Sequence, residues 1–191
     1  LHDIKSQQEV TAAASMVNAN IFYNNGKSQL TGVGWGVNIM EANAMFDIQS
    51  TMVVGDLQTL LNTPNGIIIG VGIADKLNIK LNDNISVISS VGVIKLMKVV
   101  GFFKSSNAVT DKSKSYMNLA TAQQLLEEGP NYVTDIYVNI KDPEQAVQYA
   151  TVLSKLTGYS TEDWKAANEL FVAGKKIRAV MFLFISWAIL L

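Results

Sequence analysis

The sequence predicts an α+β chain: a ferredoxin-like lobe, a small β-rich lobe, and then the start of a transmembrane helix. Three observations carry this expectation. Short apolar runs with strand-like alternation fill residues 66–104. Strand and helix patterns alternate from Ser115 to Trp164, and the last residues, Ala179 to Leu191, carry no charge. With 49% hydrophobic and 16% charged residues in 191, the chain has the composition of a packed domain and not of a disordered one.

In chain order, residues 4–13 are polar and open with a short helix. Residues 14–40 read as a long hairpin turning at Asn24-Asn25-Gly26, where a positive φ is needed. Glu41 to Thr63 is irregular or partly helical, and Pro64-Asn65-Gly66 is a turn. GIIIG is a buried strand; VGIADKLNI is a short helix with Ile73, Leu77 and Ile79 inward. Asn82-Asp83-Asn84 turns the chain into the strand ISVISS, and VIKLMKVVGFF follows Gly92 as another. Residues 105–114 form a polar loop. SYMN is a strand, LATAQQLLEEG a helix ended by Gly129-Pro130, and YVTDIYVNI a strand showing Val133, Ile136, Val138 and Ile140. The next helix has Asp142 at N-cap, Pro143 at N1 and Gln145 at N3, an inward face of Val147, Ala150, Leu153 and Leu156, and Gly158 at its end. YSTEDW is a last strand, and Trp164 to Arg178 is helical. No internal repeat stands out.

Several functions are disfavoured by composition. Fifteen basic against sixteen acidic residues give a net charge of -1, without the concentrated basic surface that nucleic acid requires. The absence of cysteine removes disulfides, thiolate nucleophiles and cysteine metal sites. The single histidine, His2, stands beside the first residue and is a poor base for a triad or ligand for zinc. No signal peptide opens the sequence, and the lack of an initiating methionine points to a fragment. The glycines of Gly66 to Gly72 fit neither a Walker A loop, since Ile73 and Ala74 follow, nor the G-x-G-x-x-G spacing, since Asp75 takes the third place. They read as a tight strand-to-helix turn, and Gly32, Gly34 and Gly36 as strand glycines near a bulge. No carboxylate pair has acid–base or metal spacing, so the chain is read as a non-enzyme with no cofactor and no metal.

The apolar tail AVMFLFISWAILL spans roughly 20 Å as a helix, short of a bilayer core of about 30 Å. Its length alone suits a buried helix. Against that, it is apolar on every face, Lys175, Lys176 and Arg178 stand just before it, and the sequence stops inside it, as a span cut short does. The reading is a truncated transmembrane span.

The order of these segments resembles ABC transporter permeases of the MacB, LolC/LolE and FtsX class. The resemblance rests on Ile69-Gly70, Ile73-Ala74, Leu77, Asp83, Ile85, Val87 and Val99-Val100-Gly101-Phe102. It continues through Tyr116, Leu119, Ala122-Gln123 and Leu125-Leu126, then Ile136-Tyr137-Val138, Asp142-Pro143 and Ala146. The ending, with Asp163-Trp164, Asn168, Leu170-Phe171, Lys176 and Met181, is similar to the junction where that domain re-enters the membrane. Asn82 departs from the glycine usual in lipoprotein-releasing members, and the chain shows no arginine-bearing loop of the kind attributed to LolC as a chaperone hook.

The resemblance implies an extracytoplasmic core domain over residues 1–178 on the outer side of the cytoplasmic (inner) membrane. Its porter-like lobe is expected at about 1–49 and 112–178, its sabre-like lobe at about 50–111, and a transmembrane helix begins at 179–191. Trp164, Asn168, Leu170 and Phe171 then belong to a lever helix, and Lys175, Lys176, Arg178, Met181, Phe182, Phe184 and Trp187 to the membrane junction. The positive-inside rule favours a cytoplasmic place for the three basic residues, but a domain-length loop translocates largely regardless of charge. The implied partners are an ATP-binding subunit that hydrolyses ATP, a second permease subunit, and an exported lipoprotein or cell-envelope protein. The implied function is coupling of ATP-driven motion to export or release of a lipoprotein, peptide or amphiphile, or to an extracytoplasmic partner. The alternative is a membrane-anchored ligand-binding or adhesion domain with no ATPase; a full chain with a single span and no adjacent ATPase gene distinguishes it.

Overall fold

The computed structural model describes residues 1–26 and 28–167. The chain is mixed α/β and divides into two compact units, Leu1–Asn139 and a second beginning at Ile140.

In the first unit a short helix α1 (His2–Lys5) leads into β1 (Val10–Asn25), which turns back at Gly26 (φ 64°) into β2 (Ser28–Val37). The expected hairpin is present, and its register runs without a break from Met16↔Val37 to Asn25↔Ser28. Three helices follow, α2 (Ile39–Phe46), α3 (Ile48–Thr51) and α4 (Leu57–Asn62), with a short strand β3 (Met52–Gly55) between the last two. Asn38 and Asp56 cap α2 and α4 by accepting from backbone N–H groups of their first turns. Then come β4 (Gly66–Gly70), α5 (Val71–Leu77), β5 (Asn84–Ser89), β6 (Ile94–Phe103), α6 (Ala108–Ser113), β7 (Lys114–Asn118), α7 (Leu119–Leu125) and β8 (Asp135–Ile140).

Strand pairing closes a ring: β1–β2–β7–β4–β6–β5 and back to β1. The pairs β2–β7 and β4–β6 are parallel; β4–β7, β5–β6, β1–β2 and β1–β5 are antiparallel. The ring is therefore a six-stranded mixed barrel, with β8 beside the first half of β1 and β3 beside the end of β6. One cluster fills it, including Val17, Ile21 and Tyr23 of β1, Ile67 and Ile69 of β4, and Val87 of β5. Helices α5 and α7 join the same cluster through Ile73, Leu77, Ala122 and Leu125. The Tyr23 hydroxyl, fully buried, hydrogen-bonds the Ser115 Oγ at 2.8 Å, which satisfies the one polar tip that β1 sends into the core.

Gly32, Gly34 and Gly36 stand opposite Ile21, Ala19 and Val17, so β2 turns glycine toward the interior at three successive positions. A Cβ at Gly32 would overlap the Tyr23 ring and the Ser113 carbonyl, one at Gly34 the Met117 side chain, and one at Gly36 the Cβ of Ala122. No bulge accompanies them; close approach is the reason for glycine here. The Gly66–Gly72 run is the expected strand-to-helix turn, and a Cβ at Gly70 would meet the backbone of Asp111.

The barrel has an approximate two-fold pattern. Strand β4 runs into the seven-residue α5 and β7 into the seven-residue α7, each through a residue of nearly the same backbone angles, Gly70 (φ −65°, ψ 146°) and Asn118 (φ −63°, ψ 144°). Each strand is parallel to the second strand of one hairpin, β6 or β2, and the two are antiparallel to each other. Buried Ile73, Ala74 and Leu77 on one helix correspond to Thr121, Ala122 and Leu125 on the other.

Four expectations about the order and extent of elements differ. Residues 105–114, expected as a loop, contain α6, capped by Asn107. The helix expected to run to Gly129-Pro130 ends at Leu125, with Glu127 at positive φ. Strand β8 follows β7 and α7 as foreseen but lies beside β1 and not β7, and residues 159–163 form no strand, so the ferredoxin-like order is not completed. The strands of residues 50–111 are not a lobe apart, because β4, β5 and β6 share the ring with β1, β2 and β7. Alternation shows that a segment is extended on a half-buried surface; it does not name the partner strand.

The second unit holds a 3-10 turn (Pro143–Gln145), α8 (Ala146–Thr157) and α9 (Trp164–Ala167). Asp142 accepts from the Glu144 N–H and the Gln145 Nε2 at 3.0 Å each, as the capping pattern foretold, and Gly158 (φ 74°) ends α8. Of the expected inward face, Leu153 is buried while Val147 and Leu156 are exposed. Among the described residues no helix is long and apolar enough to cross a membrane; residues 168–191 lie outside them.

The glycine row gives a direct test. Gly36→Ala is expected to cost about 1–3 kcal/mol through overpacking against Ala122. Gly129→Ala, whose Cβ meets open space, is expected to stay within about 0.5 kcal/mol of the parent. Urea denaturation of both variants measures the contrast.

Candidate functional site

The interior of the barrel is closed by packing, so the chemistry available to a partner lies on its outer wall. Helices α2 and α4 cover one side through Ile39, Ala42, Leu57 and Leu60, which pack with Val37, Ile68, Val100 and Phe103 of the strands. At the margin of this covered side the outward positions of β2 and β7 are Trp35, Lys114 and Tyr116, with Trp35 directly opposite Tyr116. Phe46 at the end of α2 and Tyr137 of β8 complete an aromatic group. Trp35 lies 6.1 Å from each of Phe46, Tyr116 and Tyr137, and Phe46 meets Tyr137 edge-on at 5.3 Å.

The Lys114 Nζ sits 2.9 Å from the centre of the Trp35 ring and 4.8 Å from that of Tyr116. Ring faces attract a cation but accept no conventional hydrogen bond, so they offset only part of what burial takes away. Among the described residues no carboxylate stands within ion-pair distance of this amine. Burial without a compensating acid lowers its pKa to about 7 from the ordinary 10.5. The same burial pushes the Tyr116 phenol up to about 12. Tyr137 is raised too, by burial and by the Asp135 carboxylate, which itself accepts from Asn18 and Thr134.

On the other side of the barrel wall no helix of the first unit is packed among the described residues. There Phe22 stands opposite Ile88, and Ile88 opposite Ile94, in one row across three strands. Leu96 follows in the next row with Asn24 and Ser86, and Val91 marks the turn between β5 and β6. Ile94 is 66% exposed, Leu96 64%, Val91 55% and Phe22 38%. The free face of an antiparallel sheet is ordinarily polar, and a contiguous apolar patch on it marks an interaction surface.

Of the residues singled out from the sequence, only Trp164 is described. It opens α9 and donates its indole N–H to the Pro143 carbonyl at 2.9 Å, while Lys165 pairs with Glu144 at 2.6 Å. Asn168, Leu170, Phe171, Lys175, Lys176, Arg178, Met181, Phe182, Phe184 and Trp187 lie outside the described residues. Neither Lys114 nor the Phe22–Ile94 row was picked out from the sequence. The row was detectable in principle, because VIKLM places apolar side chains on both faces of one strand. Among the described residues no group of His, Cys, Asp and Glu is placed to hold a metal.

Residues 1–156 match the family described as the MacB-like periplasmic core domain. The lipoprotein-releasing system transmembrane protein LolC of Buchnera aphidicola subsp. Schizaphis graminum is 26% identical over 193 residues, covering 95% of this chain and 46% of that protein. The chain thus spans about half the length of that relative. The extracellular domain of the noncanonic ABC-type transporter YknZ from Gram-positive bacteria has a similar fold, with a TM-score of 0.56, 15% identity and coverage of 85% of this chain and 83% of that one. The periplasmic region of MacB from Actinobacillus actinomycetemcomitans gives 0.55, 12%, 84% and 73% in the same order.

Lys114 leads to a pH prediction. Below about pH 7 its amine is charged folded and unfolded, and the folded chain bears the whole cost of burying it. From about 7 up to 10.5 only the unfolded chain keeps the proton, so this residue makes stability rise with pH across that window. Lys114→Met is therefore expected to stabilise the chain more at pH 6 than at pH 9, as thermal unfolding of both proteins across this range will show. By residues 1–156 the chain belongs to the MacB-like periplasmic core domain family.

Proposed function

We propose that this chain is the extracytoplasmic part of a permease that couples ATP-driven motion of membrane helices to the release or export of an amphiphilic substrate. The match of residues 1–156 to the core-domain family carries the reading. Exposed Phe22, Ile94 and Leu96, with half-buried Ile88 between them, support an apolar substrate, since such a patch, bordered by Lys98, suits an acyl chain or an apolar peptide segment. In this reading ATP is hydrolysed on a separate ATP-binding subunit, a second permease subunit completes the transporter, and this chain carries no cofactor and no catalytic residue. The lever begins at Trp164, fixed to Pro143, and continues through Asn168, Leu170 and Phe171. Lys175, Lys176 and Arg178 then flank the membrane, and Met181, Phe182, Phe184 and Trp187 enter it.

The test uses the full-length permease reconstituted with its ATP-binding partner in liposomes, with a triacylated lipopeptide as probe. Ile94→Glu combined with Leu96→Glu is expected to fold, since both side chains are mostly exposed. It should keep basal ATP hydrolysis while losing at least roughly tenfold of the lipopeptide stimulation. Stimulation unchanged in the variant removes the substrate face, and failure of the permease to associate with any ATP-binding partner removes the transporter reading.

A further inference from the structure

The Lys114 amine has an arrangement that the proposed transport function does not use. It is an ammonium with three N–H donors, and among the described residues no carboxylate or other hydrogen-bond acceptor is placed at it. Its contacts are the faces of Trp35 and Tyr116. A half-buried cation in this condition has lost part of its water and gained no anion, so it is poised to gain from a carboxylate brought to it. Trp35, and Phe46 and Tyr137 beside that ring, are only partly covered, and tryptophan and tyrosine are among the residue types that dominate interface hot spots.

The setting of the amine bears on which occupant suits it. Small ligands need concave sites that enclose most of their surface. Two shallow openings of about 310 Å³ lie elsewhere, one beside Lys5 and Glu41 and the other between α2 and α4. Lys114 and Trp35 line neither. A side chain carried on a larger partner needs no enclosure, because the partner's own surface excludes the water.

We propose that Lys114, with Trp35, Tyr116 and Tyr137, is the docking point for an acidic segment of a partner protein, whose Asp or Glu carboxylate pairs with the amine while an adjoining apolar side chain covers the rings. The site lies on the covered-side margin of the barrel, on strands β2, β7 and β8, and shares no residue with the Phe22–Ile94 row. It does not rest on the transport reading, and the two can fail separately.

The probes are a matched pair of peptides, N-acetyl-Phe-Glu-Leu-amide and N-acetyl-Phe-Gln-Leu-amide, titrated into the full 191-residue chain. The readout is the Trp35 indole N–H cross-peak in the ¹⁵N–¹H spectrum, assigned with Trp35→Phe. The glutamate peptide is expected to move this peak and to bind about tenfold tighter than the glutamine peptide. Lys114→Met should abolish the preference and Lys114→Arg should keep most of it, with circular dichroism showing both variants folded. Equal shifts from the two peptides, or a preference that survives Lys114→Met, overturn the proposal. Octanoate displacing the glutamate peptide at lower concentration overturns the choice of a protein partner in favour of a lipid.

Discussion

The structure depends on closing six strands into one ring small enough to leave no void. An eight-stranded barrel is just wide enough for side chains from every strand to fill it, and diameter falls with strand number. A six-stranded ring has less room, and one of its strands must contribute almost nothing to the interior. Strand β2 does this through Gly32, Gly34 and Gly36, and the space it gives up is occupied by Tyr23, Ile21 and Met117 from neighbouring strands. Helices α5 and α7 can then seal the core, because Ala122 packs where a β2 side chain would otherwise stand. The Tyr23–Ser115 hydrogen bond follows from the same constraint: the aromatic ring that fills the gap brings a hydroxyl, and Ser115 receives it.

With the interior fixed in this way, the outer wall is free to differ from one side to the other. The two-fold pattern of the barrel does not extend to what covers it. One side carries α2, α3 and α4, inserted between β2 and β4, and buries Val37, Ile68 and Phe103 beneath them. The other side carries no helix of the first unit among the described residues, yet β6 keeps Ile94 and Leu96 outward as well as Met97 and Val99 inward. Burial of Ile68 under helices explains why GIIIG is apolar at every position: β4 is covered on both faces. The same double apolarity on β6 has no such cover within the first unit among the described residues, and it is this that the proposed substrate face rests on.

The parts of this fold that could be read in the sequence are those determined by near neighbours. The β1–β2 hairpin was legible because alternation and the turn glycine lie within one segment, and α5 because Ile73 and Leu77 share a face of a short helix. The Asp142 cap and the Gly158 stop are local in the same sense. Barrel closure was not legible, since pairing β4 with β7 or β1 with β5 joins segments dozens of residues apart whose patterns fit many partners. The stretch SSNAVTDKSK hid a helix because its inward contact is made by Asp111, a polar residue that is buried and accepts from the Ser105 N–H and hydroxyl. The docking candidate at Lys114 was hidden for the opposite reason. A lysine beginning a short strand reads as a solvated charge, and only the meeting of β2, β7, β8 and α2 surrounds it with rings.

The departure at Asn82 shows how a family pattern can change a residue and keep its physics. Asn82 has φ 71°, in the left-handed region that glycine enters freely and asparagine tolerates best among the other residues. Its N–H donates to the Val99 carbonyl at 2.9 Å, and the Val99 N–H donates to the Asp83 carbonyl at 2.9 Å. The Asp83 carboxylate accepts from the Lys80 N–H at 2.8 Å. This turn therefore locks the end of α5 and the start of β5 onto β6, beside the point where β4 and β5 both leave that strand. What the turn requires is positive φ followed by a carboxylate, and Asn-Asp supplies both. A closed ring pinned at such a turn cannot open without breaking strand hydrogen bonds. Resistance of that kind is what the proposed coupling would ask of a surface, if force is to reach a bound partner without being lost to deformation of the domain.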